Sequence, residues 1–101
     1  METRAVVIDA QDNVATVIGH AQAGQEIPLT GETSQKSIRA ASDLPFGHKL
    51  ALRPIAAGEK VIKYGHSIGT AVQDISPGEA VHIHNMESDR GRGDLHRKDT
   101  A

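Results

Sequence analysis

The chain has no cysteine and no tryptophan, and its 101 residues include one phenylalanine and one tyrosine. The lack of cysteine excludes disulfides, thiolate metal sites and cysteine nucleophiles. Because aromatic side chains are scarce, the core must consist of valine, isoleucine, leucine and alanine, which bury less area per residue. A domain of this size buries only about two-thirds of the surface that its unfolded chain exposes. We therefore expect a thin core and a partner that covers part of it.

The chain also lacks a strong net charge and a long apolar run. The formal net charge is -2 with histidine neutral, so no general electrostatic attraction to nucleic acid is expected. No apolar segment approaches the ~20 residues that cross a membrane, and METRAVVIDAQ at the start lacks the apolar region of a signal peptide. The sequence predicts a cytoplasmic protein that binds neither nucleic acid nor membranes.

Short β-branched segments alternate with turn signals along most of the chain. RAVVID (4 to 9) and NVATVI (13 to 18) flank a polar AQD and predict a hairpin. Three segments place a glycine, which tolerates positive φ, two residues before the predicted start of a strand: AQAGQEI (21 to 27), IAAGEKV (55 to 61) and ISPGEAV (75 to 81). Further strands are predicted in KSIRA (36 to 40), HKLALR (48 to 53), KVIKY (60 to 64), GTAVQDI (69 to 75) and EAVHIHN (79 to 85).

This spacing predicts a compact all-β domain, barrel-like or a folded-over meander, over residues 1–85. DLPFGH (43 to 48) is predicted to form a single helical turn. Apolar residues almost vanish from Met86 onward, so residues 86–101 are expected to form an extended or disordered polar tail.

His82 and His84 are the first candidate site residues. In a strand, residues i and i+2 project from the same face, so EAVHIHN predicts that both imidazoles point the same way. Neutral imidazole suits Fe(II), Mn(II) or Zn(II), although a third ligand would be needed. The alternative is an ordinary half-buried strand with its polar face in water, and the spacing alone leaves both interpretations open.

FGHK (46 to 49) and KYGHSIG (63 to 69) each place lysine and histidine beside glycine. Lys49 and Lys63 could hold a carboxylate, sulfonate or phosphate, while Tyr64, His48 or His66 could donate or move a proton. Alternatively, the glycines serve turns, the lysines are solvated, and Tyr64 is simply a large core residue.

RGRGD (90 to 94) supplies two guanidinium groups on a glycine-rich backbone. Arg90 and Arg92 could close over an anionic substrate, since guanidinium groups bind carboxylates and sulfonates with paired hydrogen bonds. A solvated tail is the alternative for such a composition.

DNVAT (12 to 16) followed by LPFGHKLALRPIAAGEKVIKYGHSIGTAVQDISPGEAVHIHNMESDRGRGD (44 to 94) resembles the small β-domain at the start of altronate and galactarate dehydratases. The motifs GHK, IxxGExVIKYG, IG and GExVHxHN fall in that family's order over roughly residues 10–94. The same domain occurs as a free-standing small subunit, as in the alpha subunit of sulfolactate sulfo-lyase. The resemblance implies the SAF domain with its β-clip fold.

The resemblance also implies a lyase that eliminates water or sulfite from a sugar acid or 2-hydroxy acid, with Fe(II) or Mn(II) as the divalent metal. The chemistry requires a base beside the carboxylate and a cation that stabilises the enediolate. The site residues it implies fall into three groups: catalytic His48, Lys49, Lys63 and Tyr64; substrate-binding Gly47, Gly65, His66, Asn85, Arg90 and Arg92; and metal-binding His82 and His84.

The dehydratases of this family continue into a much larger region that carries most of the catalytic apparatus. The resemblance therefore implies a small subunit that works with a separate large catalytic subunit in a homo- or hetero-oligomer, on a small anionic hydroxy acid. The alternative is a free-standing module that binds a sugar acid or docks a protein without catalysis of its own.

Overall fold

A computed structural model describes residues 3–89, which form nine short strands. The strands are β1 (Arg4–Val7), β2 (Val14–Ile18), β3 (Glu26–Gly31), β4 (Ser37–Arg39), β5 (Lys49–Ala51), β6 (Lys60–Lys63), β7 (His66–Ala71), β8 (Ala80–Val81) and β9 (Met86–Ser88). The all-β prediction is confirmed, and the compact arrangement agrees with the expected β-clip fold. Residues 3–89 contain no helix that could span a lipid bilayer.

The strands form two sheets. The larger sheet has the order β4-β3-β1-β2-β5-β8, and the smaller has the order β6-β7-β9. The predicted hairpin of the first two strands is confirmed, with Ala5 opposite Val17. Only β1 and β3 pair in parallel, and every other described ladder is antiparallel.

Each face of the larger sheet carries an apolar cluster. Consecutive residues point to opposite faces of a strand. Ala15 and Leu50 accordingly join one cluster, while their neighbours Val14 and Ala51 join the other. The first cluster continues into β3 and β4, whereas the second includes residues of β6, β7 and β9. The smaller sheet therefore covers the second face.

The glycine turns predicted from the sequence are present, and a fourth copy adds to them. Gly24, Gly58 and Gly78 have φ of 88°, 90° and 85°, and Gly47 in LPFGHKL (44 to 50) has φ of 84°. The segment from 43 to 48 is thus a glycine turn, closed by a hydrogen bond from the His48 N–H to the Pro45 carbonyl at 3.2 Å, and the predicted helical turn is wrong. The four glycine turns associate in pairs. One antiparallel β-bridge joins Ala21 to Leu44, and another joins Ile55 to Ile75.

Most predicted strands differ from the structure by one or two residues at an end, and two strands differ by more. GTAVQDI was expected to be a strand over 69–75, but β7 is His66–Ala71 because a hairpin turn of only two residues precedes it. The strand expected over 79–85 ends at Val81. The predicted domain boundary after residue 85 falls inside the architecture, because Met86 is buried and Met86–Ser88 pairs with β7.

We predict that two matched substitutions at these turns differ strongly in cost. Gly58→Ala adds a Cβ to open space and incurs mainly the left-handed backbone strain, about 1–2 kcal/mol. Gly78→Ala adds the same strain and places its Cβ 2.0 Å from the Arg39 carbonyl oxygen, so it should cost about 4 kcal/mol or more. Urea unfolding of both variants tests this, and equal losses would contradict it.

Candidate functional site

His48 and His82 form the first group of predicted site residues. Lys49 lies opposite Val81 in the β5–β8 ladder, so the residues just outside it, His48 and His82, face each other. Their ring centroids are 5.0 Å apart with planes inclined by 36°. One histidine of the GHK motif and one of the HxHN motif therefore stand side by side.

The His82–Asn85 segment is a turn, and the prediction that His82 and His84 project from one strand face is wrong. The Asn85 side-chain oxygen accepts the His82 N–H at 2.9 Å, and its amide donates to the Ala80 carbonyl at 2.8 Å. The Asn85 and Met86 N–H groups both donate to the His82 carbonyl. Asn85 is fully buried and holds the turn, whereas His82 and His84 are exposed.

Asn85 was predicted to bind substrate, but both polar groups of its side chain bond to the chain itself. Its role in the structure is therefore to shape the turn. Ile83, at the tip of that turn, is 80% exposed, so the turn presents two imidazoles and an apolar side chain to the outside.

His48 does not cap its turn, although the residue at the equivalent position caps the turn in each of the other three copies. In those copies a side-chain oxygen caps the N–H three residues earlier: Gln25 accepts from Gln22 at 3.0 Å, Glu59 from Ala56 at 2.6 Å and Glu79 from Ser76 at 2.8 Å. In the fourth copy the capping position is His48 and the residue to be capped is Pro45, which has no N–H. The His48 imidazole is thus available to a ligand.

Lys49 and Lys63 form the second group. Lys49 follows His48, so alternation sends it to the other face of β5, toward the face that the smaller sheet covers. Burial lowers the pKa of Lys49 below its ordinary value of 10.5, and the nearby positive charge of Lys63 lowers it further. The one ion pair among residues 3–89 joins Arg39 and Glu26, so neither lysine has a carboxylate partner there.

Tyr64 lies in a conformation that is costly for its residue type. Tyr64 and Gly65 are the two loop residues between β6 and β7, with φ of 60° and 74°. Such a hairpin favours asparagine or glycine at both positions, and positive φ strains a bulky side chain. Tyr64 is 56% exposed and the Lys63 ammonium lies 5.0 Å from its ring centroid. Strain of this kind clusters at functional sites.

Thr16 carries a polar group that sequence reasoning overlooked. Its Oγ1 is buried and has no hydrogen-bond partner within residues 3–89. An unsatisfied buried hydroxyl costs about 1–3 kcal/mol. Thr16 lies directly opposite Lys49 in the β2–β5 ladder, so the two side chains share one face.

Asp12 and Asn13 were likewise missed as structural determinants of the site. Asp12 accepts the Asp9 N–H at 3.1 Å and the Gly65 N–H at 2.9 Å through its two carboxylate oxygens. Asn13 bonds to the Lys60 carbonyl and to both backbone groups of Ile62. The available sequence signal was a pair of adjacent polar residues, Asp12 and Asn13, directly before a predicted strand.

The remaining predicted residues have simpler surroundings. Gly47 has open space where a Cβ would stand, whereas a Cβ on Gly65 would meet the Asp9 carboxylate at 3.0 Å. His66 is exposed and lies opposite Lys63 across the hairpin. Arg90 and Arg92 lie outside the described residues.

Two features outside these groups bear on the choice of site. A surface cavity of about 270 Å³, lined in part by Glu32, Thr33 and Arg53, contains none of the predicted site residues. Within residues 3–89, no three histidine, aspartate or glutamate side chains come together as a metal site. The predicted site residues therefore lie away from this cavity and do not complete a metal site by themselves.

Comparison with known proteins supports the expected family. The profile of the family "Altronate/galactarate dehydratase SAF domain" matches residues 3–89. The subunit alpha of (2R)-sulfolactate sulfo-lyase from Chromohalobacter salexigens is 45% identical over 92 residues, which cover 84% of this chain and 94% of that subunit.

Altronate dehydratases are similar over only part of their length. The Bacillus subtilis enzyme is 39% identical over 83 residues and the Escherichia coli enzyme is 38% identical over 92 residues. The chain spans 16% of the former and 18% of the latter.

We predict that the His82–Asn85 turn depends on the Asn85 side chain. Asn85→Ala removes the side-chain partner of the part-buried His82 N–H and Ala80 carbonyl and should reduce the free energy of unfolding by about 2–4 kcal/mol. His84→Ala in the same turn removes an exposed side chain and should change it by less than about 0.5 kcal/mol. Urea unfolding measures both, and a neutral Asn85→Ala would refute this account.

A second prediction concerns the pH dependence of stability. Because the folded-state pKa of Lys49 lies below 10.5, the folded chain binds fewer protons than the unfolded chain between the two values, and stability from this group rises with pH there. Lys49→Met should therefore stabilise the protein at pH 7, and the gain should shrink as the pH approaches 10.5. Lys36→Met, which removes an exposed lysine, controls for net charge. Urea unfolding at pH 7 and pH 10 tests this; a destabilised Lys49→Met at pH 7 would contradict it.

Proposed function

The chain belongs to the altronate/galactarate dehydratase SAF-domain family, and on that premise we propose that it is the small subunit of a cytoplasmic lyase, completed by a separate large catalytic subunit. The proposed reaction eliminates water or sulfite from a sugar acid or 2-hydroxy acid. The observation that carries the proposal is the match to 94% of the length of a relative named as subunit alpha of a sulfo-lyase.

The altronate dehydratases support the proposal that a separate large subunit carries most of the catalytic residues. This chain matches less than a fifth of their length, so most of each of those enzymes lies outside the matched domain. The relatives' names describe loss of sulfite or water from a hydroxy acid, and the two reactions share one chemical requirement. Both start with removal of a proton beside a carboxylate, followed by departure of a group from the neighbouring carbon.

His48 is the proposed proton-transfer group of the small subunit. Its imidazole has no capping task, stands beside His82, and belongs to the residue type that titrates nearest neutral pH. Tyr64 is the second proposed proton donor, since its exposed phenol stands on a hairpin that Asp12 holds in place. Lys49 and Lys63 supply positive charge for the substrate anion and for the enediolate.

A divalent metal, Fe(II) or Mn(II), is proposed as the cofactor of the assembled enzyme. His82 and His84 can supply two imidazole ligands from an exposed turn, and the remaining ligands would come from the substrate or the large subunit. Bound there, the metal would supply Lewis-acid stabilisation of the negative charge that develops on the substrate. The rigid Asn85-held turn would fix the position of both imidazoles.

We predict that co-expression with a large subunit yields a complex that eliminates water or sulfite when Fe(II) or Mn(II) is present. His48→Ala should lower kcat of the complex by about 100-fold or more, the range for loss of a catalytic acid or base. His82→Ala should also lower activity strongly, because it removes one of the two proposed imidazole ligands of the metal. His20→Ala is the matched control, since His20 is exposed and lies outside both groups. Turnover is measured with an aldonate, an aldarate and sulfolactate.

Two outcomes would overturn the proposal. One is a stable complex that turns over none of these substrates with either metal. The other is tight sugar-acid binding by the isolated chain that neither EDTA nor His82→Ala changes, which would identify a binding module instead.

A further inference from the structure

The face of the larger sheet that carries Lys49 also carries the Thr16 hydroxyl, and Lys63 of the smaller sheet supplies a second positive charge. Lys49 and Thr16 lie directly opposite each other on β5 and β2. Lys63 is the last residue of β6, which contacts β2, and its positive charge contributes to lowering the pKa of Lys49. Within residues 3–89, none of the three side chains has a hydrogen-bond or ion-pair partner, and the Lys63 ammonium contacts only the Tyr64 ring, 5.0 Å from its centroid.

The position of Lys63 is fixed by the backbone rather than by its own side chain. Asn13, three residues before Thr16 on the same chain segment, accepts the Ile62 N–H at 2.7 Å and donates its own N–H to the Ile62 carbonyl at 3.2 Å. Asp12 accepts the Gly65 N–H at 2.9 Å on the other side of Lys63. These bonds hold the Lys63 backbone beside the start of β2, while its ammonium lies over the Tyr64 ring and has no carboxylate partner within residues 3–89.

The chemistry of the three groups is complementary to one kind of ligand. Two neighbouring ammonium groups repel each other, and a buried hydroxyl without a partner is unfavourable. An oxyanion would relieve both conditions, because it accepts charge-assisted hydrogen bonds from two ammonium groups and one from a hydroxyl. A neutral polyol would relieve only the second.

We propose that Lys49, Lys63 and the Thr16 hydroxyl form a binding site for the acid group of the substrate, a carboxylate or a sulfonate. The identity of the ligand as a lyase substrate rests on the proposed function, whereas binding of the anion does not. Thr16 is the new element of this site, because its hydroxyl can donate a hydrogen bond to an oxygen of the acid group. Sulfonate and carboxylate share this chemistry, so the site accommodates either kind of acid.

The test is an NMR titration of the isolated chain at low salt with three small probes. Glycolate carries a carboxylate and a hydroxyl, 2-hydroxyethanesulfonate carries a sulfonate and a hydroxyl, and ethylene glycol has no acid group. We expect at least one of the two anions to shift the backbone amides of residues 16, 49 and 63, while ethylene glycol leaves them unchanged. Comparison of the two anions shows which acid group binds more tightly.

Three variants examine the proposed ligands, with one matched control. Thr16→Val preserves side-chain shape and removes only the hydroxyl, and we expect at least fivefold weaker anion binding together with a more stable fold. Lys49→Met and Lys63→Met should weaken binding at least fivefold, whereas Lys36→Met should not. Unchanged affinity in Thr16→Val or in Lys49→Met would overturn the site, as would equal shifts by ethylene glycol.

The outcome is separable from that of the lyase assay. Anion binding that is lost in Thr16→Val, combined with an inactive two-subunit complex, would uphold this site and refute the lyase. An active complex whose KM is unchanged by Thr16→Val would uphold the lyase and refute this site.

Discussion

Asp12 and Asn13 attach the smaller sheet to the larger one, and the positions of Lys63, Tyr64 and Gly65 depend on that attachment. The Asn13 side chain bonds to the Lys60 carbonyl and to the Ile62 N–H at a β-bulge between Val61 and Ile62. Asp12 secures the hairpin that follows through the Gly65 N–H. A core poor in aromatic side chains offers little apolar area, so directional hydrogen bonds must fix how the two sheets meet.

The four glycine turns provide the second level of organisation. Three of them use a glutamine or glutamate oxygen to satisfy a backbone N–H, and their side chains are thereby committed to the fold. The fourth replaces that side chain with His48 and removes the donor with Pro45. The same turn therefore commits its capping side chain to the fold in three copies, whereas in the fourth copy the His48 side chain has no such role.

Much of the fold can be predicted from local patterns, and the reasons for the failures are physical. β-Branched runs and positive-φ glycines predicted most strands and turns, because both signals act over a few residues. The strand predicted over residues 79–85 is wrong beyond Val81, because the buried Asn85 side chain hydrogen-bonds to the backbone of Ala80 and His82 and closes a turn there. The role of Thr16 was missed because burial of a hydroxyl depends on cross-strand neighbours that no local pattern specifies.

His48 and Lys49, one from each group of site residues, project from opposite faces at the start of β5, and this arrangement constrains how the two groups could act together. β8 pairs with β5 only at Lys49 and Leu50 and ends at Val81, where the His82–Asn85 turn begins. The start of β5 is therefore bordered by a turn rather than by a continuous strand. A partner surface that docks over this edge would meet His48 and His82 on one side and Lys49 on the other. Catalysis that uses both groups thus requires a ligand or a partner that reaches around the edge, which is consistent with a site completed by a second subunit.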